Sequence, residues 1–187
     1  MNKLHVISHY LFALLFVMVA FCPALSQAKQ ADESSQVLYA EIKTESGFHL
    51  TKGLGPPGHE DEIRIAAIGT ELTNPYDETT GQINGKTKAK PVAIIKDIGP
   101  VTPLLVSHLI QKTSDLQVIV SFWQPSKGEG ILEHYFTVSL DGAAIVSVEA
   151  SADGGSYEAI SFIFAKMVLT DEINQIETTF NWSTPPA

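Results

Sequence analysis

The sequence predicts a mainly β fold, a compact antiparallel β-barrel or sandwich with one short flanking α-helix. Short apolar segments rich in β-branched and aromatic residues recur along the chain, and residues that favour turns separate them. Only one segment has the 3.6-residue spacing of an amphipathic helix. Many short strands with a single helix are typical of a sandwich or a closed barrel, and closure would remove exposed sheet edges.

The first 28 residues are expected to form a secretory signal peptide outside the fold. Lys3 precedes an uninterrupted apolar run over residues 11–21, and Pro23 and small residues follow it. This order of basic start, short apolar core and small-residue exit is typical of a signal peptide. The run is too short for a membrane-spanning helix, which needs about 20 residues. Cleavage after Ser26 or after Ala28 fits the pattern, and an uncleaved N-terminal anchor is the alternative.

Residues 29–36 are interpreted as a flexible lead-in and residues 37–187 as one domain. Cys22 is the only cysteine. Phe21 stands before it where a lipoprotein would have a small residue, so Cys22 is expected to leave with the signal. An exported chain without disulfides must be held together by its core.

The charge balance argues against a nucleic-acid partner. The formal net charge is −9, and Lys3 is the only charged residue of the predicted signal, so the mature chain is more acidic still. Such a surface repels phosphate backbones. We therefore expect no nucleic-acid binding, and no stable membrane insertion once the signal is removed.

Strands are expected over residues 37–42, 63–67 and 91–95, separated by two segments of another kind. Residues 53–58 (GLGPPG) contain glycines and prolines that exclude a regular strand. Residues 74–89 (NPYDETTGQINGKTKA) contain turn formers and charges without apolar periodicity. A loop of this length inside a compact domain is uncommon and is usually functional or mobile.

One helix is expected over residues 102–112. Thr102 suits the N-cap position and Pro103 the first helical position. The residues predicted to share the apolar face are Leu104, Leu105, His108 and Leu109.

Further strands are expected after the helix, over residues 116–123, 132–140, 143–150, 160–169 and 176–182. Asp141 and Gly142 are interpreted as the turn of a hairpin, and residues 128–130 and 153–155 as further turns. Trp123 is interpreted as a core residue and Trp182 as a cap on one end of the barrel.

No arrangement of residues typical of an enzyme or a metal site is found in the mature sequence. It has no Gly-x-Ser-x-Gly motif and no Cys–His pair. No two of its histidines have the spacing of a ligand pair within one predicted element; they are His49, His59, His108 and His134. The acidic residues 60–62 lack the ligand spacing of a calcium loop and are interpreted as a solvated segment before a strand. We expect no enzymatic activity and no cofactor.

Three segments taken together resemble the haemolysin-coregulated protein (Hcp) family of type VI secretion systems. They are residues 58–63 (GHEDEI), residues 88–110 (KAKPVAIIKDIGPVTPLLVSHLI), and residues 133–150 (EHYFTVSLDGAAIVSVEA) with 158–169 (EAISFIFAKMVL). Two features differ from the family. Gly99 and Pro100 stand where an acid and a polar residue usually precede Thr-Pro. Tube subunits also assemble in the cytoplasm and lack an export signal.

The resemblance implies a β-barrel subunit that forms six-membered rings, which stack into a tube through an extended loop. Residues 74–89 match that loop, and the residues expected to contact a neighbouring subunit are Tyr76, Asp77, Glu78, Ile83, Lys86 and Lys88. Effectors and the tip or sheath proteins of the secretion machine are the further partners implied. The alternative is an exported Hcp-like binding module, periplasmic or extracellular, without tube function. The signal predicts a secreted or periplasmic protein, which would be cytoplasmic before secretion if the signal is not processed.

Overall fold

The computed structural model describes residues 36–126, 131–151 and 156–182. The predicted signal peptide, residues 29–35 of the predicted lead-in, and the predicted turns at 128–130 and 153–155 lie outside these ranges. Within them, no helix is both long enough and apolar enough to span a bilayer.

The described residues form eleven strands and one helix, and their order confirms the mainly β prediction. The elements are β1 (Val37–Thr44), β2 (Ile63–Ile65), β3 (Ala67–Gly69), β4 (Leu72–Thr73), β5 (Lys88–Ala89), β6 (Val92–Asp97), α1 (Thr102–Gln111), β7 (Leu116–Pro125), β8 (Leu132–Ser151), β9 (Tyr157–Ile163), β10 (Lys166–Asp171) and β11 (Ile176–Asn181).

Nine of these strands form one antiparallel sheet, in the order β2-β1-β7-β8-β9-β6-β3 with β10 and β11 branching from β8. The sheet is not closed, because β2 and β3 stand at the two ends of this order. These end strands are consecutive pieces of the chain separated by Ala66 alone, and the Ala66 backbone N–H donates to the carbonyl of Ile95 in β6. The predicted barrel or sandwich of antiparallel strands with one helix is therefore confirmed, and the sheet is open.

The core lies on one face of the sheet, because alternate residues of a strand point to opposite faces. In β7 the inward residues Leu116, Val118 and Val120 are buried. Phe162 of β9 is fully buried in the same core, and α1 packs on β8 and contributes the fully buried Leu105. Burial of such side chains contributes roughly 1.5–3 kcal/mol each.

Trp123 lies on the outer face of β7, so its assignment to the core was wrong. Its ring stacks on that of His134, with centroids 4.8 Å apart, and meets the His59 ring edge-on at 4.9 Å. On its other side, His59 stacks on Tyr39 at 4.0 Å. The sequence does not reveal the register shift in the pairing of β7 with β8, which skips Tyr135 and places His134 opposite Trp123.

The acidic segment 60–62 is only partly solvated, contrary to expectation. The Glu62 carboxylate is half-buried and bonds to the His59 ring through Oε2. Its Oε1 accepts a hydrogen bond of 3.2 Å from the Ser121 hydroxyl of β7. Glu62 thus fastens the glycine- and proline-rich segment before β2 onto the outer face of the sheet.

The helix starts one residue earlier than predicted. Val101 is the N-cap residue and makes no side-chain capping bond, while Thr102 is already helical. The Thr102 hydroxyl accepts from the Gly99 backbone N–H at 3.1 Å and donates to Glu158 Oε1 of β9 at 2.8 Å. Thr102 therefore joins the helix to the sheet instead of capping it.

The predicted hairpin at Asp141–Gly142 does not exist. β8 runs through both residues, and Gly142 has a φ of +58° in mid-strand, a conformation that glycine adopts readily. Before this bend β8 pairs with β10, and after it with β9. The single strand predicted over residues 160–169 is accordingly divided into β9 and β10.

Candidate functional site

The segment from Glu71 to Lys90 is a hydrogen-bonded ribbon, which we call the arm. At its base Leu72 pairs with Ala89 and Thr73 with Lys88. The loop predicted over residues 74–89 lies between these two short strands, and only Lys88–Ala89 at its end belong to a strand. The sequence did not predict the hydrogen bonds across the loop, because the arm has no buried face to impose an apolar alternation.

The arm stays paired beyond its base. The Asn84 N–H donates to the carbonyl of Pro75 at 2.8 Å. The Thr87 hydroxyl donates to the Asn74 side-chain oxygen at 2.6 Å. An isolated bridge then joins Tyr76 and Ile83 close to the tip. These bonds hold the two halves of the arm together along its length.

Asp77 fixes the turn at the tip of the arm. Its Oδ1 accepts from the backbone N–H groups of Thr79 at 2.8 Å and Thr80 at 3.0 Å. These bonds, with that from Thr80 as the larger cause, hold the pKa of Asp77 below its ordinary value. The Gly81 N–H also donates to the Asp77 carbonyl at 2.8 Å, with Gly81 at a φ of +69°. Asp77 therefore acts inside the arm, and Glu78 is the neighbouring carboxylate left to face outward.

The arm exposes two large apolar side chains next to each other. Tyr76 is 63% and Ile83 is 71% exposed, and as bridge partners they lie directly opposite one another. No side chain of the arm is buried. An ordered segment that leaves an apolar pair in solvent is typical of an interaction surface.

Three lysines alternate along the return half of the arm, at positions 86, 88 and 90. Alternate residues of an extended strand point to the same side. Lys90 pairs with Glu71 at 2.8 Å, and both side chains are well exposed. Lys86 and Lys88 form no ion pair with any residue that the structure describes. The arm thus carries a basic stripe toward its base and Glu78 at its tip.

A groove runs across the base of the arm around Trp182, and we call it the Trp182 groove. One half, of about 620 Å³, lies between residues 180–182 and both halves of the arm, with Pro75 on the outward half and residues 84–89 on the return half. The other half, of about 560 Å³, is mostly apolar, and its walls include Pro91, Ala144, Ile163, Phe164 and Ala165. Ala89 and Trp182 line both halves.

Trp182 is held in place at the end of the sheet, where the sequence predicted a cap. Its backbone N–H donates to the Ala165 carbonyl at 2.8 Å, and its ring meets Phe164 edge-on at 5.2 Å.

The sequence did not predict the Trp182 groove, because Pro91, Phe164 and Trp182 are far apart in sequence. The alternation of Lys86, Lys88 and Lys90 was the available signal for its basic wall.

A second polar cluster lies in the core and joins β6, α1 and β9. Lys96 forms an ion pair with Glu158 Oε1, and both side chains are almost completely buried. The ammonium group also donates to the Asp97 carbonyl at 2.8 Å and to the Thr102 hydroxyl at 3.3 Å. Its contacts are all internal to the fold, which indicates a structural role.

Known proteins resemble this chain in sequence and in fold. The profile of the family described as "Type VI secretion system effector, Hcp" matches residues 55–170. The "Major exported protein" of Pseudomonas aeruginosa is 28% identical over 139 residues, 70% of this chain and 80% of that protein.

Solved structures of similar fold include an Hcp protein, with a TM-score of 0.72 and 22% identity, and secreted protein Hcp3 from Pseudomonas aeruginosa, with 0.68 and 23%. Each alignment covers 80% of this chain and 99% of the other. At this identity the likeness concerns the fold. The family match spans more than half of the sequence, and the chain belongs to the Hcp family of type VI secretion proteins.

Proposed function

We propose that this chain is a structural subunit that forms six-membered rings, which stack into a type VI secretion tube. The observation that carries the proposal is the arm, which is ordered by its own hydrogen bonds but leaves Tyr76 and Ile83 in solvent. Membership of the Hcp family supports the same assembly. The role is mechanical, and no reaction is assigned to the protein.

The arm is the surface by which a subunit contacts its neighbours. Contact with another subunit would bury the exposed apolar surface of Tyr76 and Ile83. Burial of apolar surface stabilises a complex by about 25 cal/mol for each Å². The interface predicted from the sequence adds Asp77, Glu78, Lys86 and Lys88. Of these, Asp77 acts by holding the tip in shape, and the other three offer charges to the neighbour. Effectors carried by the rings, and tip or sheath proteins, are the further partners.

Native mass spectrometry at micromolar concentration tests the assembly. The proposal predicts a species of six copies, and a protein found only as a monomer contradicts it. An exported monomer would instead support the alternative of a binding module without tube function, which the signal-like N-terminus favours.

Signal-dependent export is a separate proposal, and it favours the alternative of an exported binding module, because tube subunits assemble in the cytoplasm. The first 28 residues have the order of a signal peptide, and the Pseudomonas aeruginosa relative carries the name of an exported protein. N-terminal sequencing of periplasmic, cytoplasmic and culture fractions tests this part. A start at Gln27 or Lys29 outside the cytoplasm supports cleavage and weakens the tube role, because tube subunits assemble in the cytoplasm. An intact Met1 in the cytoplasm contradicts cleavage and supports the tube role.

A further inference from the structure

We propose that the Trp182 groove binds a small amphiphile, a molecule with an apolar chain and an anionic head group. The apolar chain enters the half of the groove beside Phe164, and the head group lies beside Lys86 and Lys88 in the half beside the arm. All the walls of this groove belong to one chain. The inference therefore goes beyond the proposed assembly and does not depend on it.

The two halves of the groove adjoin and differ in chemistry. Ala89 and Trp182 line both halves, so the halves meet along these two side chains. The sheet supplies most of the apolar half, and the arm supplies most of the other half. A ligand that spans both must therefore be apolar at one end and polar at the other.

The apolar half suits a hydrocarbon chain. Its volume of about 560 Å³ lies in the usual range of roughly 300–1,000 Å³ for binding pockets. Ile163, Phe164 and Trp182 line it, and burial of each methylene group against such a wall strengthens binding by up to about fourfold. The Trp182 ring is already held against Phe164, so little ordering of the wall opposes binding.

The charged side chains that line the groove are all basic. Lys86 and Lys88 line the half beside the arm, and Lys90 lines the apolar half. None of the described residues that line the groove is acidic, although the chain has 21 acidic and 12 basic residues. Since Lys86 and Lys88 form no ion pair within the described part of the chain, their ammonium groups are available to an anion. Local charge of this kind raises the concentration of anions at the groove.

The arrangement of apolar wall and lysines selects one class of ligand. A carboxylate, sulfate or phosphate head group accepts strong hydrogen bonds from ammonium groups. A purely apolar ligand would leave these bonds unmade, and a ligand charged at both ends would place a charge against the apolar wall, which is unfavourable. The groove lies between the arm and the sheet, so it admits a single free molecule and not the surface of a bilayer.

Isothermal titration calorimetry with dodecanoate, below its micelle-forming concentration, tests the site. We expect saturable binding of one molecule to each chain, with decanoate about tenfold weaker because its chain is two methylene groups shorter. Dodecyltrimethylammonium, which has a chain of the same length and a cationic head group, should bind at least about tenfold more weakly. The acidic chain as a whole favours the cation, so a preference for the anion identifies the groove.

A pair of lysine variants tests the position of the head group. Lys86→Gln with Lys88→Gln should weaken dodecanoate binding at least about fivefold, because two charge-assisted contacts are lost. The matched control is Lys52→Gln with Lys112→Gln, which removes two exposed charges outside the groove and should bind like wild type. Circular dichroism checks that every variant is folded.

A second variant tests the position of the apolar chain. Ala144 lines the apolar half, so Ala144→Phe fills it and should weaken dodecanoate binding at least about tenfold. Ala159→Phe, in β9 and outside the groove, is the control. Trp123→Phe leaves Trp182 as the one tryptophan of the chain. In that variant dodecanoate should move the Trp182 emission to shorter wavelength, with the midpoint that calorimetry gives, because the ligand excludes water from the ring.

Several results would overturn the site. They are equal binding of the cation and the anion, wild-type affinity in the Lys86 and Lys88 variant or in a folded Ala144→Phe, and an unchanged Trp182 emission. Co-sedimentation with phosphatidylglycerol vesicles in the absence of binding to free dodecanoate would identify membrane docking instead and would also overturn it. Sedimentation velocity of the same samples gives the oligomeric state, which distinguishes a failure of the proposed ring from a groove that binds nothing.

Discussion

The buried ion pair between Lys96 and Glu158 makes the sharpest prediction about stability. Lys96→Met removes the ammonium group and leaves the Glu158 carboxylate in the core. The side chains are only 3% and 0% exposed, so water cannot replace the lost partner. Glu158 Oε2 already lacks a hydrogen bond to any residue that the structure describes. Breaking a buried pair from one side costs about 3–5 kcal/mol, a large share of the roughly 5–15 kcal/mol that holds a domain together.

Urea unfolding followed by circular dichroism measures this loss. The matched control is Lys90→Met, which breaks the exposed pair with Glu71 and should cost at most about 1 kcal/mol. Replacing both Lys96 and Glu158 by methionine should recover much of the loss, because no unpaired charge then remains in the core. Equal effects of Lys96→Met and Lys90→Met, or a double variant less stable than Lys96→Met, would show that an unpaired buried charge at Glu158 is not the source of the loss.

Three further predictions concern the bend, the core and the tip. Gly142→Ala should destabilise the fold by about 1–3 kcal/mol, because φ is +58° and the new Cβ would lie 2.9 Å from that of Ala165. The control is Gly69→Ala, whose new Cβ meets no atom within 4 Å. Thermal unfolding compares the two variants. Phe162→Ala should cost about 3–5 kcal/mol in urea unfolding, and a loss below 1 kcal/mol would contradict its place in the core. The pKa of the Asp77 carboxyl, measured by NMR, should lie below that of an ordinary aspartate, because backbone N–H groups bond to the carboxylate. These bonds stabilise the turn at neutral pH and are lost only as the pH falls through the lowered pKa. An ordinary pKa would show that the turn is not formed.

Much of the fold was predictable because a strand or a helix has a recognisable pattern of apolar residues within its own short segment. The alternation around Ile42 and the apolar run around Val118 each locate a strand, and the spacing of Leu105 and Leu109 locates the helix. The bend at Gly142 was not predictable, because Asp-Gly between two apolar runs has the same local pattern in a hairpin and in a bent strand. Only the pairing of β8 with both β9 and β10 distinguishes the two cases, and that pairing is long-range.

The position of the arm in the sequence was predictable, but the pairing of its two halves and the Trp182 groove were not. Turn formers and charges marked residues 74–89, and Tyr76 and Ile83 are indeed exposed there. The pairing of these two side chains depends on the register of the arm, which the sequence does not display. The Trp182 groove depends on residues brought together from the segment before β6, from β8, from β9 and from the residue after β11. Those contacts exist only in the folded chain.

Electron microscopy of the purified protein tests whether this chain forms rings. We expect particles whose class averages show six-fold rings, with some rings stacked at low salt. A homogeneous population of single small particles, at concentrations where the protein is folded, would contradict the claim that this chain is a ring-forming subunit.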